Sequence, residues 1–568
     1  MVNDLSRSSN ETVSEWHDAA RSIRIARVAR KKADPIALVH GCVVVAEGHV
    51  SEARIAAAYA KCGNAFMREI TGDFAFALYD VARDRLVVGC DVVGGRTASY
   101  FWNGESLVVA TRMLALLRHP AVPKKFDRVY RAHALSDFWA QAAGTTAFES
   151  IRRLRPGHAI VLENAKLDVR RIDRLALDET DAQPLRGERA CDAFRDLLDV
   201  VVRERVDENA CVALSGGLDS TTVASSISRN FGSINAISIV DSKRPDSDEH
   251  EAIAAFAKST LVHLHEIDSA DDVPFTTAED ESPIADDPAV LSWALSETKR
   301  RLAAHAKAIG ATAIVDGEGG DEIFDVCVRG GEIDFKREPR ALLSYLGHAK
   351  NPARVLLDEI LAPRFETLSD FLSTHRKNDW FAPWMRASFR NDPATCIATK
   401  ERKKWLFLPR FAIAYPRTIE IAAAQGSNAA ARLACDAVGI DSVSPLVDRR
   451  IVEFFSRLPA SEKFDGESSK RFLRRASSSP EIAARPKDTR LYDAIALRAF
   501  ANASRREQLV ERVMSSPGIG DDVDARELRR GFATIADHPS HTPLVELAAA
   551  VIQYAIWSQR VSREYGVT

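Results

Sequence analysis

With 568 residues, 46% of them apolar, the chain exceeds what one hydrophobic core usually serves, so two or more globular domains are expected rather than a disordered chain. A net charge of −3 with both signs interspersed argues against a nucleic-acid protein held by a broad basic face. Eight cysteines (42, 62, 90, 191, 211, 327, 396 and 435) form no C-x-x-C pair and no His/Cys ligand spacing, so they read as reduced thiols rather than a disulfide framework or zinc site. The polar start "MVNDLSRSSNETVSEW" has no apolar signal core, and no run approaches the ~18 apolar residues of a membrane span, so a soluble cytoplasmic protein is expected.

The first thirty or so residues, ending in "RSIRIARVARKK", fit a helix and a loose arm equally well. From residue 36 the pattern shortens to strands and turns. "IALVHGCVVVAEGHV" (36–50) reads as two strands around Gly41, and "DFAFALYDVARDRLVVGCD" (73–91) as a hairpin with Phe74, Phe76 and Leu78 on one face. "ASYFWNGESLVVATR" (98–112) turns at Asn103-Gly104, and "GHAIVLENAKLDVRRI" (157–172) near Glu163-Asn164. With helices at 51–62 and 111–118, this predicts an antiparallel, β-rich domain over 1–175. The polar stretch 176–190 reads as a linker. Over 191–568 the rhythm changes. Helices at 191–205, 219–229, 248–259 and 288–309 alternate with strands "CVAL", "NAISIV", "LVHLHEI" and "ATAIVDG", which predicts a parallel sheet covered by helices. Beyond about 340 the chain reads as mostly helical, without internal repeats.

Within "VALSGGLDSTTVASS" (212–226) a strand meets a helix through two glycines, an aspartate and hydroxyls. Glycines let the backbone turn and approach a ligand, and exposed N–H groups at a helix start attract phosphate. Ser215 and Ser220 add donors. Asp219 would repel a bare phosphate but suits one bridged by Mg²⁺. The lysine of the usual nucleotide-hydrolase loop is missing. A second strand-end loop, "VDGEGGDEIF" (315–324), brings Glu318, Asp321 and Glu322. Loops at the carboxyl ends of parallel strands open on one edge, so these carboxylates should share it with Asp219. Their mutual repulsion would be relieved by a metal.

These two loops resemble those of the asparagine synthetase family of ATP-pyrophosphatases. "ITGDFAFALYDVARDRLVVGCD" and "GTTAFESIRRLRPGHAIVL" are similar to that family's N-terminal domain, and "VSPLVDRRIVEFFSRLP", "SKRFLRRA" and "ARPKD" to its synthetase half, in the family's order. The resemblance implies an α+β N-terminal amidohydrolase-like β-sandwich over 1–175, here a degenerate glutamine amidotransferase-like domain. It implies an α/β parallel-sheet ATP-pyrophosphatase domain (adenine nucleotide alpha hydrolase-like) with a helical C-terminal part over 191–568. It implies ATP and Mg²⁺ as cofactors. Ser215, Gly216, Gly217, Leu218, Asp219 and Ser220 would grip the pyrophosphate, with Gly317 beside them. Leu214 and Ile239 would line the adenine, and Asp219 and Asp321 would hold Mg²⁺. Glu318 would take a proton from the incoming amine, and Lys487 would steady the adenylate. Lys470 is the weaker candidate and reads as structural.

The sequence departs from the glutamine-dependent pattern. Val2 stands where those members carry the nucleophilic cysteine, and "AEGHVSEA" (46–53) replaces their glutamine-binding segment. Members without the cysteine include β-lactam synthetases, carbapenam synthetases and lasso peptide cyclases, all of which activate a carboxyl with ATP and close a ring. "GEGGDE" offers no tyrosine for a β-lactam-type base. The aromatic stretch "DWFAPWMRASF" (379–389) is expected either to line a peptide pocket or to pack helices. The leading expectation is a lasso peptide cyclase, a macrolactam-forming, AMP-forming ligase. Its partners would be a precursor peptide and the leader peptidase and leader-binding protein of the same pathway, with no nucleic acid and no membrane. The alternatives are another small-molecule amide synthetase, an ammonia-dependent asparagine synthetase-like enzyme, a tRNA-acting PP-loop enzyme, and a peptide-docking relic without turnover.

Overall fold

The computed structural model describes residues 12–29, 36–136, 144–177, 184–244, 248–276, 283–288, 296–326, 339–348, 351–361, 381–397, 415–416, 418–419, 427–463, 465, 468–485, 490–538 and 542–568. The chain forms two compact units, one of residues 1–127, 143–176 and 565–568, the other of 128–142 and 177–564. The divide near 175 therefore has two exceptions. Helix Arg128–Ser136 belongs to the second unit, and the last four residues return to the first, where Thr568 O accepts from Phe126 N at 3.1 Å.

In the first unit, the N-terminal arm is a hairpin of β1 (Thr12–Asp18) and β2 (Ile23–Ala29) rather than a helix or loose arm. Asp18 Oδ1 closes its turn by accepting from Ala20 N and Arg21 N at 3.1 and 3.2 Å, a local bond that competes with helix formation. The elements that follow are β3 (Leu38–Val39), β4 (Cys42–Gly48), α1 (Glu52–Cys62), β5 (Phe74–Asp80), β6 (Arg85–Cys90), β7 (Ser99–Trp102), β8 (Leu107–Ala110), β9 (Arg152–Arg153), β10 (His158–Glu163) and β11 (Lys166–Arg171). An antiparallel six-stranded sheet runs in the order β11-β10-β6-β5-β4-β3, and a second sheet in the order β8-β7-β9. Strand alternation divides the core. Phe74, Phe76 and Leu78 pack with Ile55, Ala56 and Tyr59 of α1, while Ala75, Val88 and Ile160 meet Tyr100, Leu107 and Val109 of the second sheet. The β10–β11 turn places Asn164 and Ala165 at φ 52° and 57°, the mirror-image turn that suits strand twist.

The second unit is built on a parallel sheet. Helix α2 (Gly187–Arg205) begins inside the stretch read as a linker. It is followed by β12 (Cys211–Ala213), α3 (Leu218–Phe231), β13 (Ile234–Val240), α4 (Asp248–Ser259), β14 (Val262–Asp268), α5 (Ser296–Ala308) and β15 (Ala313–Val315). Helix α6 (Ser427–Val438) then leads into β16 (Asp441–Val443), and the five strands run in the order β14-β13-β12-β15-β16. β16 interrupts the stretch read as helical beyond 340. Its three residues pair with Ala313–Val315, which puts Val443 level with Val315. Cys211, Ile237, Ile267, Leu302, Ala303, Ala306, Ile314 and Cys435 form the core between the sheet and helices α5 and α6. Further helices include α7 (Arg449–Arg457), α8 (Arg471–Ala476), α9 (Ala503–Met514), α10 (Ala525–Asp537) and α11 (Thr542–Tyr565). Among the described residues no helix is long and apolar enough to cross a membrane.

The aromatic stretch 379–389 is only partly described, and its described part packs the core. Trp384 is wholly buried against Phe532, with ring centroids 6.1 Å apart. Gly531 makes the room, since a Cβ there would lie 2.5 Å from the indole. Trp384 is therefore a helix-packing residue. Asp379 and Trp380 lie outside the described residues.

Candidate active site

β12 ends at Ala213 and the chain crosses into α3 through Leu214–Gly217. Gly216 takes φ +72°, a left-handed turn that a side chain resists. Gly217 then caps α3 in an extended conformation (φ −79°, ψ 164°). Ser220 Oγ locks the turn from inside. It accepts from Ser215 N at 3.2 Å, meets Ser215 Oγ at 3.1 Å and donates to Gly217 O at 3.2 Å. Ser215 and Gly217 stay exposed while Ser220 is buried. The exposed loop thus leads into the N-terminus of a fourteen-residue helix, the kind of position that attracts anions.

The second loop leaves β15 beside it. Asp316 N donates to Val443 O of β16 at 3.0 Å, and Gly319 turns at φ +89°. The loop then lies directly on the first. A Cβ on Gly317 would come within 2.6 Å of Ser220 N, and one on Gly320 within 2.3 Å of the Asp219 carboxyl. The two loops touch through Gly317 and Gly320, while a Cβ on Gly319 would meet Val447. The tail of the second loop, Ile323 and Phe324, is wholly buried. The Phe324 ring sits 4.9 Å from Phe455 of α7, 5.7 Å from Phe194 of α2 and 6.3 Å from Phe472 of α8.

That aromatic contact brings α8 to the site, and with it Lys470, the residue before α8. Lys470 adopts a left-handed backbone (φ 53°, ψ 38°), an uncommon conformation for a residue with a Cβ. Its Nζ contacts Asp219 Oδ2 and stands 2.9 Å from Asp321 Oδ1, with the side chain only 8% exposed. Sequence reasoning set Lys470 aside as structural; the structure makes it the bridge between the two carboxylates read as metal ligands. Burial works against its charge, but Asp219 and Asp321 outweigh burial and raise its pKa. Among the described residues no group of three or more His, Cys, Asp or Glu could hold a metal alone. Two carboxylates beside a phosphate cradle are the donor set Mg²⁺ uses when substrate phosphates supply the remaining ligands, so Asp219 and Asp321 fit that ion.

Beneath the loop, Asp316 is buried. Its Oδ1 accepts from Ser444 Oγ at 2.7 Å and from Glu318 N at 3.2 Å. Burial, then the charge of Glu318, push its pKa up to about 7. Burial and Glu318 also push Glu322 up to about 7. A carboxyl raised from 3.8 holds its proton in the folded state where the unfolded chain has lost it. Folding is therefore favoured at low pH, and the penalty grows from about pH 4 to about pH 7. Asp316→Asn, which keeps the acceptor oxygen, is expected to gain stability over the parental chain as pH rises through that window, by about 2 kcal/mol at the top. Thermal unfolding near pH 5 and near pH 8 checks it; a pH-independent difference counts against the buried charge.

Leu214 and Ile239 occupy the carboxyl ends of the neighbouring strands β12 and β13, where Leu214 N donates to Ile237 O at 2.9 Å. Leu214 is buried, and Ile239 packs against the core under α5. The structure thus brings Leu214 to Ser220, Gly317, Glu318 and Asp321 onto one edge. Lys487 lies outside the described residues.

In the first unit, "AEGHVSEA" forms an ion chain. Arg96 meets Glu47 at 3.3 Å and Asp73 at 2.9 Å, and His49 Nδ1 meets Asp73 at 2.5 Å. Asp73 fills room that glycines leave, since a Cβ on Gly95 would lie 2.4 Å from its own Cβ. Burial raises the Cys42 thiol to about 11 and the Cys90 thiol well above its ordinary value, so neither supplies thiolate at neutral pH.

The sequence family described as asparagine synthase matches residues 193–516, and the glutamine amidotransferase domain family matches 51–172. Amidase chry2 of Gibberella zeae is 28% identical over 293 residues, which is 48% of this chain and 42% of that protein. Asparagine synthetase [glutamine-hydrolyzing] 3 of Bacillus subtilis is 28% identical over 171 residues, 28% of this chain and 26% of that one. The putative asparagine synthetase [glutamine-hydrolyzing] 2 of Methanocaldococcus jannaschii is 22% identical over 317 residues, 53% and 59% of the two chains. The chain therefore spans less than two thirds of the length of each of these relatives. With more than half of its own length matched by the first family, the chain belongs to the asparagine synthase family.

Proposed function

We propose that this chain is an ATP-dependent, AMP-forming amide ligase of the lasso peptide cyclase type. It adenylates an Asp or Glu side chain of a precursor peptide and closes a macrolactam with the peptide's N-terminal amine. The observation that carries the ligase reading is the seating of one strand-end loop on the other, with Lys470 joining Asp219 to Asp321 at the start of α3.

The Ser215–Ser220 cradle binds the phosphates of ATP through backbone N–H groups and hydroxyls. Asp219 and Asp321 would hold Mg²⁺, which would supply charge neutralisation for the phosphates. A carboxylate is a poor acyl donor because its oxygen leaves badly; joined to AMP, it leaves with the nucleotide. Lys470, and Lys487 of "ARPKD", offer positive charge to the negative charge that grows in each step. Glu318, partly exposed on the same edge, accepts the amine's proton. Support for an amine from the substrate itself comes from the first unit, where Asp73 and its ion chain fill the segment that replaces the glutamine-binding one, and the thiols of Cys42 and Cys90 stay protonated.

The test is incubation with MgATP and a panel of synthetic peptides that have a free N-terminus and one Asp or Glu at successive positions. Loss of one water from a peptide, with AMP and pyrophosphate formed in equal amounts, is expected. Turnover only with free amino acids and ammonia would replace the cyclase reading with that of a small-molecule synthetase, and no pyrophosphate with any substrate would sink the ligase reading. Glu318→Gln is expected to lower ring closure by about 10²–10⁴-fold while ATP binding persists, checked by product formation against nucleotide titration.

A further inference from the structure

Lys299 is the fourth residue of the described helix α5, Ser296–Ala308. Its neighbours are pinned on both sides. Thr298 Oγ1 donates to Asp272 Oδ2 at 2.8 Å, and Arg301 donates to Asp272 Oδ1 at 2.5 Å and to Asp268 O at 2.8 Å. These bonds tie the start of α5 to the carboxyl end of β14, on the sheet edge that carries the two loops. From that anchored position the Lys299 ammonium reaches Glu318, Nζ to Oε1 4.0 Å, with side chains 17% and 28% exposed.

Two ammonium groups among the described residues at this edge serve different carboxylates. Lys470 stands with Asp219 and Asp321. Lys299 stands with Glu318 and adds its charge to the surroundings of Asp316. Gripping a triphosphate has no use for the second arrangement. Orienting a carboxylate does, because Asp316 and Glu322 lie near enough to Glu318 for their charges to bear on one another.

We propose that Lys299 is a positioning residue, whose ammonium keeps Glu318 aimed at the amine as the ring closes; the proposal rests on the ligase reading above. In that step the amine lone pair forms a C–N bond to the acyl carbon, and the bond from that carbon to the AMP oxygen breaks with its electron pair leaving on AMP. The amine's proton passes to Glu318. Lys299 acts through Glu318 and touches neither reactant.

The experiment uses the full chain, MgATP and the synthetic peptide panel. For Lys299→Met, ATP–pyrophosphate exchange and the peptide KM are expected to stay within about threefold of the parental values. The kcat for ring closure is expected to fall by about 10–100-fold, as a misplaced catalytic group requires. Lys299→Arg is expected to recover most of the loss. In a double-mutant cycle, adding Lys299→Met to Glu318→Gln should cost little further kcat. Equal losses of exchange and closure, a parental kcat, or fully additive effects with Glu318→Gln would overturn the assignment. An unfolding cycle on the same variants reads the pair without any substrate: coupling supports it and additivity overturns it. A parental chain that shows the coupling but releases no pyrophosphate overturns the ligase reading instead, and with it the catalytic use of the pair.

Discussion

Lys470→Met is expected to lower ATP–pyrophosphate exchange by about 10²–10³-fold, the loss seen when one preorganised charge is removed from a site of this kind. It is also expected to destabilise the fold, and the reason lies in what the lysine leaves behind. Its ammonium is almost wholly enclosed and touches both Asp219 and Asp321. Methionine fills the same space but strands two carboxylates of like charge. Breaking a buried pair costs about 3–5 kcal/mol; Asp321 is 44% exposed, so solvent relieves part of this, and about 2 kcal/mol is expected. A divalent cation can take the missing charge's place. Mg²⁺ should therefore raise the melting temperature of Lys470→Met more than that of the parental chain. Thermal unfolding with and without Mg²⁺ checks this, and equal Mg²⁺ responses would show that Lys470 does not neutralise the pair.

Gly317→Ala is the second large effect. The new methyl would meet Ser220 N at 2.6 Å and the Asp219 carbonyl carbon at 2.7 Å, both backbone atoms at the start of α3. Backbone there moves only if the loops part, so overpacking of about 1–3 kcal/mol is expected. Parting the loops opens the phosphate cradle, and ATP affinity should fall by about 100-fold, near 3 kcal/mol. Gly320→Ala is expected to be milder, because its methyl would meet Asp219 side-chain atoms rather than backbone, displacing the carboxyl from Lys470. Gly347→Ala is the control. Among the described residues nothing lies within 4 Å of a Cβ at that helical position, so it should leave ATP binding unchanged and stabilise slightly. Isothermal titration with ATP on the three variants tests the ordering Gly317, Gly320, Gly347.

The meeting of the two loops on one sheet edge was legible in the sequence because its signals are local. "SGGLDS" and "VDGEGGDEIF" each follow an apolar strand, and parallel topology alone sends both loops to one edge. The hairpins of the first unit were legible for the same reason, since alternation over 74–78 and the Asn103-Gly104 turn are short-range signals. Lys470 was not, because it meets Asp219 across 251 positions and its surroundings, "SSKRFLRRA", look like any basic helix start. The one available hint was Phe472, whose burial carries Lys470 into place. β16 escaped because three residues between a helix and a proline-bearing turn carry no periodicity. The hairpin of β1 and β2 escaped because its apolar positions, Trp16, Ile23 and Ile25, are sparse among charges. Lys299 escaped because a lysine in a polar helical stretch signals nothing until the fold aims it.

The rings of Phe194, Phe324, Phe455 and Phe472 tie the acidic loop and Lys470 to a common anchor. Wear in the hydrophobic interior would therefore surface first as a change of charge spacing at the reaction edge, well before the chain melts. On the ligase reading, sequence drift would be tolerated in whatever holds the substrate, while selection on turnover would hold these four phenyl groups still.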